Sequence, residues 1–318
     1  MKNIFNILLF FFSTLLISQD AGFSNILDAV YPDKNTLKFF KNYSIDSPKN
    51  TIYNINIVVK SELNSVIKLD YESDSFNKII FSEVLDVPVE QNTGLDSRTE
   101  RFKGNINPYV IRRAPFRIFE IIKPLSSNTL ISKSNFSLIN VKIPIDKKID
   151  LDKHRIDFTV YINNQKFNLR LKINIHNIVV PDLEKSNFFY TNWFNLSKME
   201  EYHQLERWSE NWYKMLDKYA KLMAYGRQNC VKIPRELIYI ENDEIFLNEE
   251  RMMSFINVFL KYGFKYFESP HLLGRGKNDD WGNPELITNL RNVGYYTYEG
   301  KKEIEDVTRK IKQFTEKY

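Results

Sequence analysis

A chain of 318 residues and 37.9 kDa is long enough for two domains and for a sizeable buried core. Its formal charge of +5 comes from 45 basic against 40 acidic residues, an excess too mild and too evenly spread to suggest a nucleic-acid partner. Aromatic residues make up 14% of the chain, which suits aromatic-rich β-structure and also sugar stacking.

Met1-Lys2-Asn3 is a short basic start, and Ile4 to Ile17 is an apolar stretch broken only by Asn6, Ser13 and Thr14. The pattern predicts a secretory signal peptide over residues 1–19, cleaved near Ser18 to Asp20, and hence an exported protein, periplasmic or extracellular. The stretch is too short for a comfortable membrane span, so no transmembrane segment is expected after cleavage. No cysteine follows it, so no lipid attachment site of the bacterial lipoprotein kind is expected. Cys230 stands alone, inside a predicted strand, and reads as a small buried hydrophobe.

Asn50 to Lys60 alternates apolar and polar residues, as a half-buried strand should. Similar runs follow at Val66–Leu69, Lys78–Phe81, Phe116–Ile122, Ser137–Ile143, Arg155–Ile162 and Gln165–Ile175. Turn-like clusters at Asp46–Asn50, Asn92–Thr99 and Gly104–Pro108 separate them, and Asn163-Asn164 joins the last two as a hairpin. Strands without a convincing helix predict an antiparallel β-sandwich over residues 20–180.

Pro181-Asp182 then ends the last strand, and a second domain is expected over 181–318. Phe188–Phe194 reads as its first strand. Leu205, Trp208, Trp212, Met215, Leu216, Tyr219, Leu222 and Met223 recur with a helical period that stops at Gly226, where a left-handed residue is expected. Cys230–Ile233 is a short strand closed by Pro234. The same order returns: a stripe from Met252 to Leu260, Gly263, a strand over Phe264–Phe267, then Pro270. Between the two copies, Glu236–Asn248 reads as an inserted hairpin. A third stripe, Ile304, Val307, Ile311, Phe314 and Tyr318, has no strand after it. Alternating α and β units predict a parallel sheet. About three of the eight units of a (β/α)₈ barrel are present, so either the sheet is open and smaller or the barrel is truncated, and truncation is the expectation.

In such a barrel, working residues lie just past the C-terminal strand ends. That rule nominates Asn192, Trp193 and Asn195, then Pro234 and Arg235, then Glu268, Ser269, His271 and Arg275, with Asp279, Asp280 and Trp281 beyond. Trp193 offers a flat ring face to a pyranose or packs the mouth. Glu268 contacts substrate or pairs with Arg275. His271 donates to substrate or holds its loop. Asp279 to Gly282 resembles a turn. His154, His176 and His203, in β-structure or at a helix start, read as structural. No metal site or cofactor is expected, because the sequence has no phosphate-cradling loop, dinucleotide fingerprint or HExxH.

The segments VPVEQNTG (Val87–Gly94), NPYVIRRAPFRIFEIIKPL (Asn107–Leu125) and NFFYTNWF (Asn187–Phe194), the last leading into a helix ending KYAKLMAYGRQN, resemble glycoside hydrolase family 123. The resemblance covers the chain from about Ser47 to Tyr318. It implies an exported glycosidase with a β-sandwich ahead of a (β/α)₈ catalytic domain, acting on β-linked N-acetylgalactosamine or a similar sugar in a carbohydrate or glycoconjugate. It also implies a substrate-assisted retaining mechanism, in which the sugar's acetamido group is the nucleophile. An adjacent Asp-Glu pair then orients that group and protonates the leaving oxygen. In the family this pair ends the fourth barrel strand, so it is expected beyond Tyr318, no catalytic residue is assigned in this chain, and the chain as given is expected to be inactive. Asp243-Glu244, in the inserted hairpin, is the wrong place for it. Asn192, Trp193, Glu268, His271 and Arg275 are left as the substrate-binding candidates. Two rivals stand beside this reading: a non-catalytic carbohydrate-binding or cell-surface protein, and a different barrel hydrolase using Glu268 and Asp280.

Overall fold

Alternating apolar residues need a second apolar surface to close on, and in the first half of the chain two sheets supply it to each other. The computed structural model describes residues 18–33, 38–91, 110–276 and 284–318. The expected signal peptide up to residue 17, the turn-like stretches at 92–99 and 104–108, and Asp279, Asp280 and Trp281 lie outside them. One unit ends at Val180 and a second begins at Pro181.

In the first unit the strands are β1 (Asp20–Ser24), β2 (Asn42–Lys49), β3 (Thr51–Lys60), β4 (Val66–Glu72) and β5 (Ile80–Val89). They continue with β6 (Phe116–Pro124), β7 (Thr129–Ile131), β8 (Phe136–Ile145), β9 (Lys153–Ile162) and β10 (Gln165–Val179). One five-stranded sheet has the order β1-β3-β8-β5-β6 and the other β2-β10-β9-β4-β7. Ile55, Ile57 and Val59 on β3 share one core with Ile139, Val141 and Ile143 on β8 and with Ile156, Phe158 and Val160 on β9. Each of these side chains removed from water contributes about 1.5–3 kcal/mol. Asn163, at φ 51, makes the turn between β9 and β10 as the sequence predicts.

Two expectations fail here. Asp46 to Lys49 are not a turn but complete β2, which pairs in parallel with β10 in an otherwise antiparallel sheet. An edge strand tolerates Pro48 because one side of it needs no ladder bonds, and the reversal falls on Asn50 alone, at φ 58. β1 and β7 also escaped the sequence reading, being only five and three residues long.

The second unit contains α1 (Leu196–His203), α2 (Glu210–Tyr225), β11 (Cys230–Lys232), β12 (Ile238–Glu241), β13 (Glu244–Leu247) and α3 (Glu249–Leu260). It continues with β14 (Tyr266–Glu268), β15 (Leu273–Arg275), β16 (Leu286–Thr288) and α4 (Tyr298–Lys317). β11 and β14 pair in parallel, with Cys230 opposite Tyr266, Val231 opposite Phe267 and Lys232 opposite Glu268. Around them Trp212, Leu216, Phe255, Phe259 and Phe264 form the core. The hairpin read in the sequence is β12–β13, turned by Asn242 and Asp243, both at positive φ.

The first helical stripe is not one helix. Gln204 and Trp208 take positive φ, and α2 starts afresh after Ser209, whose hydroxyl accepts from Trp212 N at 3.2 Å. His203 accordingly ends a helix and does not begin one. Gly226 has φ −76, and the left-handed residue is its neighbour Arg227 at φ 66. Gly263 behaves as expected, at φ 85.

Phe188–Phe194 is extended but joins no ladder. Asn229 N and Cys230 N both donate to Tyr190 O at 3.2 Å, and side-chain amides supply the other bonds: Asn229 Oδ1 accepts from Tyr190 N at 2.9 Å, its Nδ2 donates to Phe188 O at 2.7 Å, and Gln228 Nε2 donates to Asn192 O at 3.1 Å. Among the described residues of the second unit the parallel ladder is therefore the β11–β14 pair.

α2 and α3 are tied at one point by Asp217, which accepts from Lys261 Nζ and Tyr262 Oη, each at 2.7 Å. The Lys261 bond first and the Tyr262 bond second hold its carboxyl below the usual carboxylate range. A depressed folded-state pKa stabilises the fold above the ordinary value near 3.9, and that contribution is lost as pH falls through the folded value. Asp217→Asn is expected to lower the melting temperature at pH 7, with the gap to wild type closing as pH falls below the ordinary carboxylate range. A gap of constant size across that range would contradict the assignment.

Candidate functional site

Parallel strands leave their C-terminal ends side by side, and here the last ladder pair carries two opposite charges. Lys232 and Glu268 face each other across β11 and β14, and the ladder is continued by Ile233 N donating to Glu268 O at 2.9 Å. The extended segment held by Asn229 and Gln228 delivers Trp193 to the same end.

Trp193 Nε1 donates to Glu268 Oε2 at 3.3 Å. The imidazole of His271 meets the indole edge to face, with ring centroids 5.0 Å apart, and Lys232 Nζ lies 5.0 Å from the indole centroid. Glu268 Oε1 stands 3.9 Å from His271 Nε2, a separation that becomes an ion pair when the imidazole is protonated. Trp193 remains 65% exposed, so the fixed indole still offers apolar surface to solvent. An oriented ring beside a carboxylate with unused lone pairs suits a ligand that has both C–H faces and hydroxyls.

The structure thus brings Trp193, Glu268 and His271 together. Asn192 is adjacent in the chain, but its Nδ2 donates to Tyr190 Oη at 2.7 Å. Arg275 closes β15, opposite Leu286 of β16. Asn195 serves as the N-cap of α1, accepting from Lys198 N at 3.0 Å. Pro234 is buried and Ser269 exposed. Arg235 Nη1 donates to Asn289 O at 3.0 Å.

Cys230 is fully buried, and that burial pushes its thiol up, away from the reactive thiolate. His154 contacts Ser75 Oγ at 2.7 Å, His176 contacts Asp46 Oδ1 at 2.8 Å and His203 contacts Tyr219 Oη at 3.0 Å. Among the described residues no group of three or more His, Cys, Asp and Glu side chains could hold a metal ion.

Sequence reasoning missed Lys232, whose role depends on strand register. It also missed the supports behind the site. Asn289 Nδ2 donates to His271 O at 2.7 Å and Asn289 N to Leu272 O at 2.9 Å, fixing the loop that carries the imidazole. An Asn or Gln directly before a short buried strand is the signal that could have found Gln228 and Asn229. A cleft of about 280 Å³ lies between Tyr190–Phe194 and the last turn of α2, lined in part by Leu222, Met223 and Gln228. It shares Asn192 and Trp193 with the cluster but does not include Glu268, His271 or Lys232.

Asp243 sits in the β12–β13 turn and Glu244 opens β13, opposite Glu241. The Asp243 side chain is 94% exposed, and Arg291 Nη2 donates to its carbonyl at 2.6 Å. No helix among the described residues is long and apolar enough to cross a membrane.

No family model matches the sequence, and no curated protein matches it significantly. Among solved structures the chain is similar to a family 123 glycoside hydrolase from Clostridium perfringens, described for glycolipid glycan hydrolysis, at TM-score 0.62 and 13% identity. The alignment covers 78% of this chain and 46% of that one, so the chain spans less than half the hydrolase's length. It also aligns with a PapD-like domain of human CEP192 (TM-score 0.23, 6% identity, 51% of this chain and 87% of that one). A third alignment is with the Salmonella SafD adhesin (TM-score 0.22, 9% identity, 51% and 99%). The similarity to the hydrolase is one of fold.

Proposed function

We propose that the chain is part of an exported glycosidase of the family 123 kind, whose second unit contributes the substrate side of a (β/α) barrel mouth. The substrate in this reading is a β-linked N-acetylgalactosamine or similar sugar of a glycan or glycoconjugate, hydrolysed with retention by its own acetamido group. The observation that carries it is the indole of Trp193, 65% exposed yet fixed through its Nε1–H to Glu268 and flanked by His271. In this role Trp193 stacks on the sugar's C–H face, Glu268 accepts from a hydroxyl, and His271, Asn192 and Arg275 border the ring. The fold likeness to the Clostridium hydrolase supports the same reading. No residue of this chain is given the role of acid.

The test is calorimetric titration of the full chain with N-acetylgalactosamine. Saturable binding is expected, weakened about tenfold by Trp193→Ala, since an aromatic face is worth roughly 0.5–1.5 kcal/mol beyond its area. Binding that Trp193→Ala leaves untouched would remove the cluster from consideration.

A second reading, a non-catalytic carbohydrate-binding protein, is favoured by the placement of Asp243-Glu244 at the β12–β13 reversal and not at the C-terminal ends of the parallel pair β11–β14. Turnover of aryl N-acetylgalactosaminides by this chain would exclude the binding protein and require an acid among these residues, whereas binding without turnover is expected of both readings.

A further inference from the structure

Lys232 is the site's unspent charge. It stands directly opposite Glu268 in the parallel ladder, a placement that ordinarily makes an ion pair, yet its ammonium lies 5.0 Å from the Trp193 ring centroid. Glu268 is occupied elsewhere, with Oε2 accepting from the Trp193 indole and Oε1 turned toward His271 at 3.9 Å. Among the described residues Lys232 makes no ion pair, so its charge is balanced only by a ring quadrupole and water. Trp193 and Lys232 together therefore present an apolar face with a cation beside it. A neutral sugar uses the face and leaves the cation idle, whereas a sugar bearing an anionic group uses both.

We infer that Lys232 is a specificity-determining residue that selects acidic sugars, those carrying a sulfate ester or a carboxylate, over their neutral counterparts. The inference rests on the carbohydrate-binding reading of the Trp193 cluster. On ligand binding the ammonium moves from the ring to the anion, so a hydrogen-bonded ion pair replaces a weaker cation–π contact. Because the group lies at an open strand end, the preference is sensitive to salt.

The experiment titrates the full chain with N-acetylgalactosamine, N-acetylgalactosamine 6-sulfate, galacturonate and inorganic sulfate, for wild type and for Lys232→Met, which keeps the apolar stem. The expected result is about tenfold tighter binding of the sulfated sugar than of the neutral one. That preference should disappear in Lys232→Met and shrink in 0.5 M salt, and the galacturonate arm tells carboxylate from sulfate as the preferred anion. Equal affinity for neutral and acidic sugars overturns the role of Lys232 and leaves the carbohydrate reading standing. A loss of equal size for both sugars in Lys232→Met also overturns it, since the lysine would then only support Trp193. If none of the sugars binds, the carbohydrate reading itself falls, and the inference falls with it even if inorganic sulfate binds. Should Lys232→Met not fold, the salt dependence of wild type alone decides: a preference that 0.5 M salt leaves unchanged refutes the ion pair.

Discussion

Phe158→Ala is expected to cost the first unit about 3–5 kcal/mol, the range for deleting a fully buried ring. Phe158 is 1% exposed on β9 and meets Phe23 and Phe81, both from the opposite sheet, with ring centroids at 5.7 and 6.2 Å and interplanar angles of 77°. Tyr71, on the neighbouring strand β4, lies 6.4 Å away. Three rings from two sheets thus meet around Phe158, and a truncation leaves a cavity that neither sheet can close without shifting its register. A domain's whole stability is about 5–15 kcal/mol, so the variant is expected at the edge of unfolding. Phe158→Leu, which keeps most of the volume, should lose about 1.5 kcal/mol or less. Lys153→Ala, exposed on the same strand, should stay within about 0.5 kcal/mol of wild type. Urea denaturation of the three variants checks the order, and an alanine variant as stable as the leucine one would show that the inter-sheet rings do not hold the layers together.

The same strand shows why much of the first unit could be read from sequence. β3, β8, β9 and β10 each put alternate residues into a shared core, and that period survives in the amino-acid order. β2 could not be read, because Asp46, Ser47 and Pro48 resemble a turn in composition while a parallel partner, set by β10 more than 100 residues later, decides otherwise. In the second unit the stripe from Leu205 to Met223 concealed a helix break. Leu205 and Trp208 pack on the same core as α2 and so keep its period although they precede its cap. Apolar spacing records which residues are buried, not which backbone bonds join them.

The site divides in the same manner. The grouping of Glu268 and His271 was legible because a strand end can be located from a short apolar run, whereas Trp193 was nominated from a run that is extended but joins no ladder. Lys232 was not, since a lysine closing a strand ordinarily points to solvent, and only the pairing of Lys232 with Glu268 puts it beside Trp193. Asn229 and Asn289 were less visible still, because their work is done through amides on main-chain groups 39 to 41 and 17 to 18 residues away.

Glu303→Ala is expected to destabilise the second unit by on the order of 3 kcal/mol, through hydrogen bonds lost inside the protein. Glu303 lies on α4 and is 2% exposed. Its Oε2 accepts from Thr288 Oγ1 at 2.8 Å and from Arg291 N at 3.0 Å, and its Oε1 accepts from Leu290 N at 3.2 Å. Removing the carboxylate strands two main-chain amides and a hydroxyl, each costing about 1–3 kcal/mol if it finds no new partner. Glu303→Gln should cost less, since the amide keeps one acceptor but turns donors toward donors. The consequence reaches the site because Asn289, between the anchored residues, holds His271 O and Leu272 O. A loosened 288–291 loop therefore frees the imidazole from Trp193 and Glu268 before the unit as a whole unfolds. Hydrogen exchange should show Leu290 and Arg291 losing protection first, with Asn289 following, at a denaturant concentration where β11 and β14 remain protected. If those amides exchange in Glu303→Ala as slowly as in wild type, the loop is anchored by something else, and the position of His271 owes nothing to α4.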